Sequence, residues 1–491
     1  MYKHTTVKKS LILLVAALMC LAVLLAACSE KPFTPSFDAP KGSKADSNGG
    51  IAVKYGDYIY YVNGYESNSS ADNTYVDVTN APRIGSVVRI KAAEIDTILK
   101  INENDKLSSS KKTEEIAKAV REKAEIVVPK VYFSANTTTT ALNGIYIFND
   151  RLYLLTPNEK LTAGGNTQTE QSVLMSFDLA GGNAQRHFTF TSNSAQVWLY
   201  ESGNKVMATY LMNSGLHVLD IAADEKDTKD TAILNGDGEI DTVSSVKFDL
   251  SDDGQCVFFL DGDGSICKLA KGSKDKEVIV NNAVEGDDTS TISYTISSVS
   301  NGFVYFTKAD SDNSAVDNVV LYYASSDKKV TTVGGEAEVA LATANVTATG
   351  WRDGKVVIVR QTENGYYGLY LITSTDGANT TALLLPGFNE DSITIWKIEG
   401  DLLYYTAGGI TYVKNLANAA TEEDYAKNLG TPYAATSMSS ATGWALPDVV
   451  TVGEHTYVFS FGTGSVSVVE FDAVKKSNST SAALTLTASE D

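Results

Sequence analysis

The chain is short of the residues that usually carry chemistry. Its 491 residues hold four histidines and four cysteines. His4 precedes the first apolar run, and His187, His217 and His455 fall in three separate sequence units. None of the three has a cysteine or carboxylate at metal-ligand spacing. No H-E-x-x-H, C-x-x-C, G-x-S-x-G, P-loop or dinucleotide fingerprint occurs. The reactions those motifs support therefore have no local signature, and no metal or cofactor is implied. Positive charge is also scarce, with 40 Lys and Arg against 60 Asp and Glu, a net charge of −20. A surface this acidic repels phosphate backbones, so nucleic acid is not an expected partner. Prolines number only nine, and three of them (Pro32, Pro35, Pro40) lie within residues 29–50.

The N-terminus gives an address. Lys3, Lys8 and Lys9 precede an unbroken apolar run of 17 residues from Leu11 to Ala27. Charged, apolar and small residues in that order form a secretory signal. Leu25-Ala26-Ala27-Cys28 resembles the lipobox of bacterial lipoproteins. The resemblance implies cleavage before Cys28, acylation of its thiol, and a chain anchored to the cell membrane on the extracytoplasmic side. Two alternatives remain open: an uncleaved signal anchor, since 17 residues is the short edge for a membrane span, and a Cys28 that is merely a small residue near another cleavage site. Cleavage would remove residues 1–27 and leave 464 residues with a net charge near −23. Residues 28–50 read as a lipid-anchored tether, because proline, glycine and polar residues cannot build a core. As a coil, residues 29–50 would span about 25 Å on average.

From residue 51 to about 488 the character changes and then persists. Short apolar strands recur, divided by Gly, Asp or Asn turns. Tyr58–Val62 follows Gly56-Asp57, and Ile145–Phe148 turns at Asn149-Asp150 into Leu152–Leu155. Val197–Tyr200 turns at Gly203-Asn204 into Val206–Tyr210, and Val246–Leu250 turns at Asp253-Gly254 into Cys256–Leu260. Eight such units follow one another, mostly 45 to 60 residues long. Units of this length built from four short strands predict an all-β propeller of eight blades, with seven as the alternative. A pair of β-sandwiches is the competing architecture. Ser251-Asp-Asp-Gly-Gln-Cys-Val-Phe-Phe resembles the repeat core of TolB-like propellers. Gly-Asp-Tyr-Ile-Tyr-Tyr and Gly-Asp-Leu-Leu-Tyr-Tyr are similar to units of divergent lipoprotein propellers. The resemblance implies architecture and leaves function open.

Residues 92–125 break the pattern. Ile116, Val120, Ala124 and Val127 fall at helical spacing and Thr113 suits a helix start, which predicts a helical insertion packed on the first blade outside the ring.

Several residues are candidates for function. Asp261-Gly-Asp-Gly-Ser265 and Asn235-Gly-Asp-Gly-Glu-Ile-Asp241 hint at calcium loops. In the first, however, Ile266 stands where the sharp turn needs glycine and no glutamate closes the loop, so a hairpin turn is the better reading. Asp57, Asp150, Asp253, Asp353 and Asp401 sit at equivalent turns. They read as backbone-bonded turn residues rather than a cation-attracting rim. Trp198, Trp351 and Trp396 share a repeat position and are expected between blades. Trp444, Tyr433 and Tyr75 lie in long polar stretches and are the candidate ligand contacts, with Trp444 either a stacking surface or tucked over a blade. A two-residue Asp261-Gly262 loop would put Cys256 opposite Cys267, and an oxidising exterior permits a disulfide there.

The long connections 64–84, 157–170, 309–318 and 421–447 fall mostly on one face, which is expected to hold the ligand. Two functions stay open. One is a membrane-anchored propeller that binds or scaffolds an envelope protein, peptide or glycan. The other is an extracytoplasmic enzyme acting on a polysaccharide, with carboxylates assembled in the propeller channel.

Overall fold

A computed structural model of the chain describes residues 40–46, 48–64, 84–128, 144–157, 172–191, 195–250, 255–282, 292–310, 321–333, 346–352, 354–361, 367–375, 378–388, 393–407, 410–417, 431–434, 448–453, 455–462, 464–471 and 481–487. They form eight antiparallel sheets, each a meander of consecutive strands. Seven sheets have four strands and the first has a fifth; in chain order they are blades 1 (45–128), 2 (146–189), 3 (196–232), 4 (244–280), 5 (292–332), 6 (346–388), 7 (394–434) and 8 (448–483). The first strands of neighbouring sheets lie against one another, so the sheets are blades around an axis with those strands innermost. The fold is the expected eight-bladed propeller.

Local chemistry explains the hairpins. The Asn149-Asp150 and Asn213-Ser214 turns put both central residues at positive φ, at 50° and 58° and at 50° and 61°. Turns of that hand match the twist of the strands they join, and Asn and Asp tolerate the conformation better than bulkier residues. Hairpins joining first to second strands define a turn face, which also carries the third-to-fourth connections. The second-to-third and blade-to-blade connections define the opposite loop face.

The core lies between blades. Tyr60 and Val62 of blade 1 (strands Ala52–Tyr55, Tyr58–Val62, Val87–Lys91 and Glu125–Val128) pack on Leu152 and Leu154 of blade 2. Trp198 and Met207 of blade 3 meet Val257 and Phe259 of blade 4. Trp351 of blade 6 meets Leu403 and Tyr405 of blade 7. Trp198 and Trp351 thus stand between blades, as expected; the side chain of Trp396 lies outside the described residues. Blade 7 obtains its fourth strand from Thr431–Ala434, a stretch whose sequence shows no strand pattern.

Among the described residues, the ring closes without exchanging strands between its ends. Ile59, Tyr61 and Val88 of blade 1 share a core with Val450, Tyr457, Phe459 and Val466 of blade 8. The Tyr61 and Phe459 rings are 5.9 Å apart. Each fully buried aromatic of this kind contributes about 2–3 kcal/mol over an exposed one. Helices α1 (Ala92–Glu103) and α2 (Ser109–Lys123) cover this junction. Ile95, Ile98, Leu99, Ile116 and Val120 point into its core, and the Asn102 amide donates to the Ser481 carbonyl of blade 8 at 2.7 Å. The insertion is therefore two helices, and the second starts at Ser109 rather than Thr113. Ser108 is its cap, accepting from the Lys111 N–H, while Thr113 donates to the Ser109 carbonyl from inside the helix.

The folded part also begins earlier than residue 51. Ala45 and Asp46 form the fifth strand of blade 1, opposite Tyr55 and Lys54 on its inner edge. Backbone pairing and polar side-chain bonds hold this strand and the residues after it, which is why apolar patterning does not reveal it.

Candidate functional site

The loop face carries an open cleft of about 370 Å³ between blades 3 and 4. Its origin is a local irregularity. The innermost strand of blade 4, Ser244–Asp249, slips register between Ser244 and Lys247, and Ser245 adopts a φ of 49°. A bulge of this kind bends a strand away from its neighbour. The Asn213-Ser214 turn forms the opposite wall, tied to the strand's start by the Val243 N–H donating to the Ser214 carbonyl at 2.8 Å. Gln196, Asn213, Ser214, Ser244 and Ser245 supply amides and hydroxyls, while Leu211, Met212, Val243 and Val246 supply apolar surface. None of these groups titrates near neutrality. The open cleft presents hydrogen-bonding groups and a little apolar surface, and its lining residues include no general base or activated nucleophile.

A short hairpin stands beside it. Leu234 pairs with Ile240, and the Asn235 carboxamide oxygen accepts from the N–H groups of Asp237 and Glu239, both at 3.0 Å. Asn235 N–H also donates to the Glu239 carbonyl at 2.8 Å. These bonds fix the tip and hold Leu234 and Ile240 outward, 48% and 54% exposed. Five large hydrophobics are exposed among the described residues, and this hairpin carries two of them face to face. Asp237 and Glu239 rim the pair with negative charge.

Directly below, the fold brings together the two acidic loops that hint at calcium in the sequence. Their carboxylates close on a lysine instead. The Lys276 ammonium donates to Asp241 Oδ2 at 2.5 Å and to Asp261 Oδ2 at 2.8 Å. Asp241 Oδ1 accepts from the Gly262 N–H, and Asp261 Oδ1 accepts from the N–H groups of Asp263 and Ser265. Burial pushes the Asp261 carboxyl up, but hydrogen bonds from Lys276, Cys267 and Ser265 outweigh it and hold it below the usual range. Burial likewise opposes the Lys276 charge, and the two carboxylates more than restore it. Among the described residues no group of three His, Cys, Asp or Glu is arranged to hold a metal ion.

The Asp261 loop also corrects the expected cysteine pairing. It spans five residues, not two, because its side chain bonds the N–H groups of Asp263 and Ser265. Leu260 therefore faces Ile266, Phe259 faces Cys267, and Cys256 faces Ala270. The two thiols are free and buried on opposite sides of the sheet, Cys256 toward blade 5 and Cys267 toward blade 3. Burial pushes the Cys256 thiol up to about 12 and the Cys267 thiol higher still.

Other candidates prove to be structural or fall elsewhere. Asp150 accepts from the Tyr55 hydroxyl and the Gly42 N–H, which hold its carboxyl low. Asp401 pairs with Arg352, and the Asp57 carbonyl accepts from the Ala92 N–H at the start of α1. Asp253 and Asp353 lie outside the described residues. So do Cys28, Tyr75 and Trp444. Tyr433 lies in the outermost strand of blade 7, Thr431–Ala434, and the rest of the 421–447 stretch lies outside the described residues.

Three polar pairs have no sequence signal, because each joins strands or blades through register. His217 Nδ1 contacts Asp230 Oδ1 at 3.1 Å, and Tyr210 donates to Asp230 Oδ2. His455 Nδ1 contacts Glu470 at 2.6 Å. His187 Nδ1 donates to the Ala222 carbonyl at 2.5 Å, leaving Nε2 to accept from the Ser176 hydroxyl at 2.7 Å. That serine–histidine pair has the tautomer a nucleophile would need, yet both residues are fully buried and no carboxylate orients the ring. Burial holds the imidazole below its usual range. The pair joins blade 2 to the connection that follows the third strand of blade 3.

No family model matches the chain, and no curated protein does. Similar solved structures include a puromycin-hydrolysing peptidase of Mycobacterium tuberculosis, at 12% identity over 72% of this chain and 55% of that one, with a TM-score of 0.34. Dipeptidyl peptidase 4 of Porphyromonas gingivalis is similar at 13% identity over 68% and 52%, with a TM-score of 0.37. An oligogalacturonate lyase in complex with manganese follows at 10% identity over 56% and 73%, with a TM-score of 0.33. The chain spans about half the length of either peptidase. Likeness at this level carries no argument about activity, and the fold stands on the chain's own sheets.

Proposed function

We propose that this chain is a lipid-anchored extracytoplasmic β-propeller that binds or scaffolds an envelope protein or peptide through its loop face. The anchor reading rests on the basic start, the apolar run and Cys28. One observation carries the binding reading: the rigid hairpin that presents Leu234 and Ile240 beside a neutral, hydrogen-bonding cleft. An ordered turn that holds two large apolar side chains side by side in water is suited to contact with an apolar partner surface. An apolar pair also suits a polypeptide better than a glycan, whose surface is mostly hydroxyl. A polysaccharide-cleaving enzyme would need two carboxylates about 5–10 Å apart facing a substrate. Asp241 and Asp261 are close together, but they are buried and joined by Lys276.

The test uses the mature protein with Cys28→Ser, immobilised and exposed separately to envelope proteins and envelope glycans. The double variant Leu234→Asp/Ile240→Asp serves as the comparison. Retention of a polypeptide by the parent, lost in the double variant at an unchanged melting temperature, supports the reading. Retention by both proteins, or turnover of a glycan, overturns it.

A further inference from the structure

The lipid anchor and the ring are joined at one defined place, and that place decides which way the ring faces. Ala45 and Asp46 run antiparallel to the innermost strand of blade 1, with Ala45 opposite Tyr55 at the strand's turn-face end. Asn48 then exchanges two hydrogen bonds with Ile147 on the innermost strand of blade 2, at 2.7 and 3.1 Å. Gly49 N–H donates to the Ile145 carbonyl, and Ile145 N–H donates to the Gly50 carbonyl. On the other side of blade 1, Asp46 Oδ2 accepts from the Thr451 N–H of blade 8 at 3.3 Å. Going backward, the chain leaves on the turn face. Gly42 N–H donates to Asp150 in the first hairpin of blade 2, Ser43 N–H donates to the Tyr55 hydroxyl, and a Cβ built on Gly56 would sit 3.5 Å from that of Pro40. Residues 40–50 therefore enter at the turn face and cross toward the loop face along the inner edges of three blades.

We infer that the turn face is the membrane-facing surface of this protein, and that the loop face, with the cleft between blades 3 and 4, points away from the lipid. The inference rests on acylation at Cys28, as proposed above. Only twelve peptide steps separate Cys28 from Pro40. Their fully extended reach is about 40 Å, and the composition predicts an average span of about 20 Å. In the opposite orientation the chain would have to double back at Pro40. Passing outward over four strands and down the blade would use about 30 Å, from strand spacings near 4.8 Å and a five-residue strand. Passing down the axis beside Ala45 and Asp46 would use about 16 Å. Either route consumes most or all of the average span before any lipid is reached. Direct exit from the turn face consumes none of it.

The test reconstitutes the full lipidated protein in phosphatidylcholine vesicles that contain a trace of acceptor-labelled lipid. Donor dyes are placed on Asn204→Cys in the first hairpin of blade 3, or on Asp237→Cys at the loop-face hairpin. Cys256 and Cys267 are buried and do not compete for label in the native state. Energy transfer to the lipid is expected to be several-fold stronger from position 204 than from position 237. Equal transfer, or stronger transfer from position 237, with the protein bound to the vesicles, overturns the orientation and leaves the anchor reading intact. Failure of the lipidated protein to associate with vesicles overturns both.

Discussion

Asn63 and Leu486, 423 residues apart, exchange two hydrogen bonds of 2.8 Å each: the amide donates to the Leu486 carbonyl, and the Leu486 N–H donates back to its oxygen. Both residues are buried. The Tyr61 hydroxyl donates to the Leu484 carbonyl in the same place. Among the described residues the ring exchanges no strand between its ends, and these bonds, the core beneath them and the two helices above close it. Replacing Asn63 with alanine leaves a buried N–H and a buried carbonyl unpaired, at a cost of about 2–4 kcal/mol. Asn63→Asp is the sharper test. Its carboxylate can still accept, but at neutral pH it sets negative charge against the Leu486 oxygen. Denaturation should show it destabilised at pH 7 and partly recovered near pH 4, where a protonated carboxyl can donate again.

Lys276 is the second point of vulnerability. Lys276→Met strands two buried carboxylates, and breaking a buried charge cluster from one side costs about 3–5 kcal/mol. Asp261 is held low in the folded protein, so it contributes stability above the ordinary carboxylate range and loses it as pH falls through its folded value. Without the lysine that contribution reverses. The gap in melting temperature between parent and variant should therefore narrow as pH falls toward 4. Millimolar calcium should leave the parent's melting temperature unchanged, because the ammonium fills the space between the loops.

The blades were legible because their determinants are local. Alternating apolar residues and Gly, Asp or Asn turns set each hairpin, and each unit repeats those signals. What depends on distant partners was not legible. Ala45 and Asp46 pair through the backbone, so a polar stretch that reads as tether is part of the ring. The calcium-like loops are completed by a lysine outside both of them, which no motif around Asp261 could show. The cysteine register failed by three residues because the Asp261 side chain organises a longer loop than its Asp-Gly dipeptide suggests. The cleft has no motif at all. It arises where a bulge in one blade meets a turn in the next, and both are visible only once the blades are stacked.

The free thiols give a direct count. Unfolding the mature, lipidated protein without reductant should release two titratable thiols, and a count of none would refute the Phe259–Cys267 register. In the native state a thiol reagent at pH 8 should react slowly, because burial keeps both sulfurs protonated. The raised thiol pKa values also predict a stability that declines above about pH 8.5, where the unfolded thiols ionise and the folded ones do not.

Lys414 predicts an effect of the opposite sign. It lies in the third strand of blade 7, opposite Leu403, and is only 4% exposed. Burial pulls its ammonium down to about 8, against 10.5 for an ordinary lysine. Below about pH 8 the folded and unfolded lysines are both charged, and burial opposes the charge in the folded protein. Between about pH 8 and 10.5 the folded lysine is neutral while the unfolded one still holds its proton, so this group's contribution improves as pH rises. Lys414→Met keeps the length of the side chain and removes the titrating group, so the variant should lack this rise in stability between about pH 8 and 10.5. The thiols and tyrosines also titrate in alkali, so the quantity to follow is the difference between parent and variant. Relative to the variant, the parent should gain melting temperature steadily from about pH 8 to 10.5. A difference between parent and variant that stays constant over that range would show that burial does not lower this ammonium.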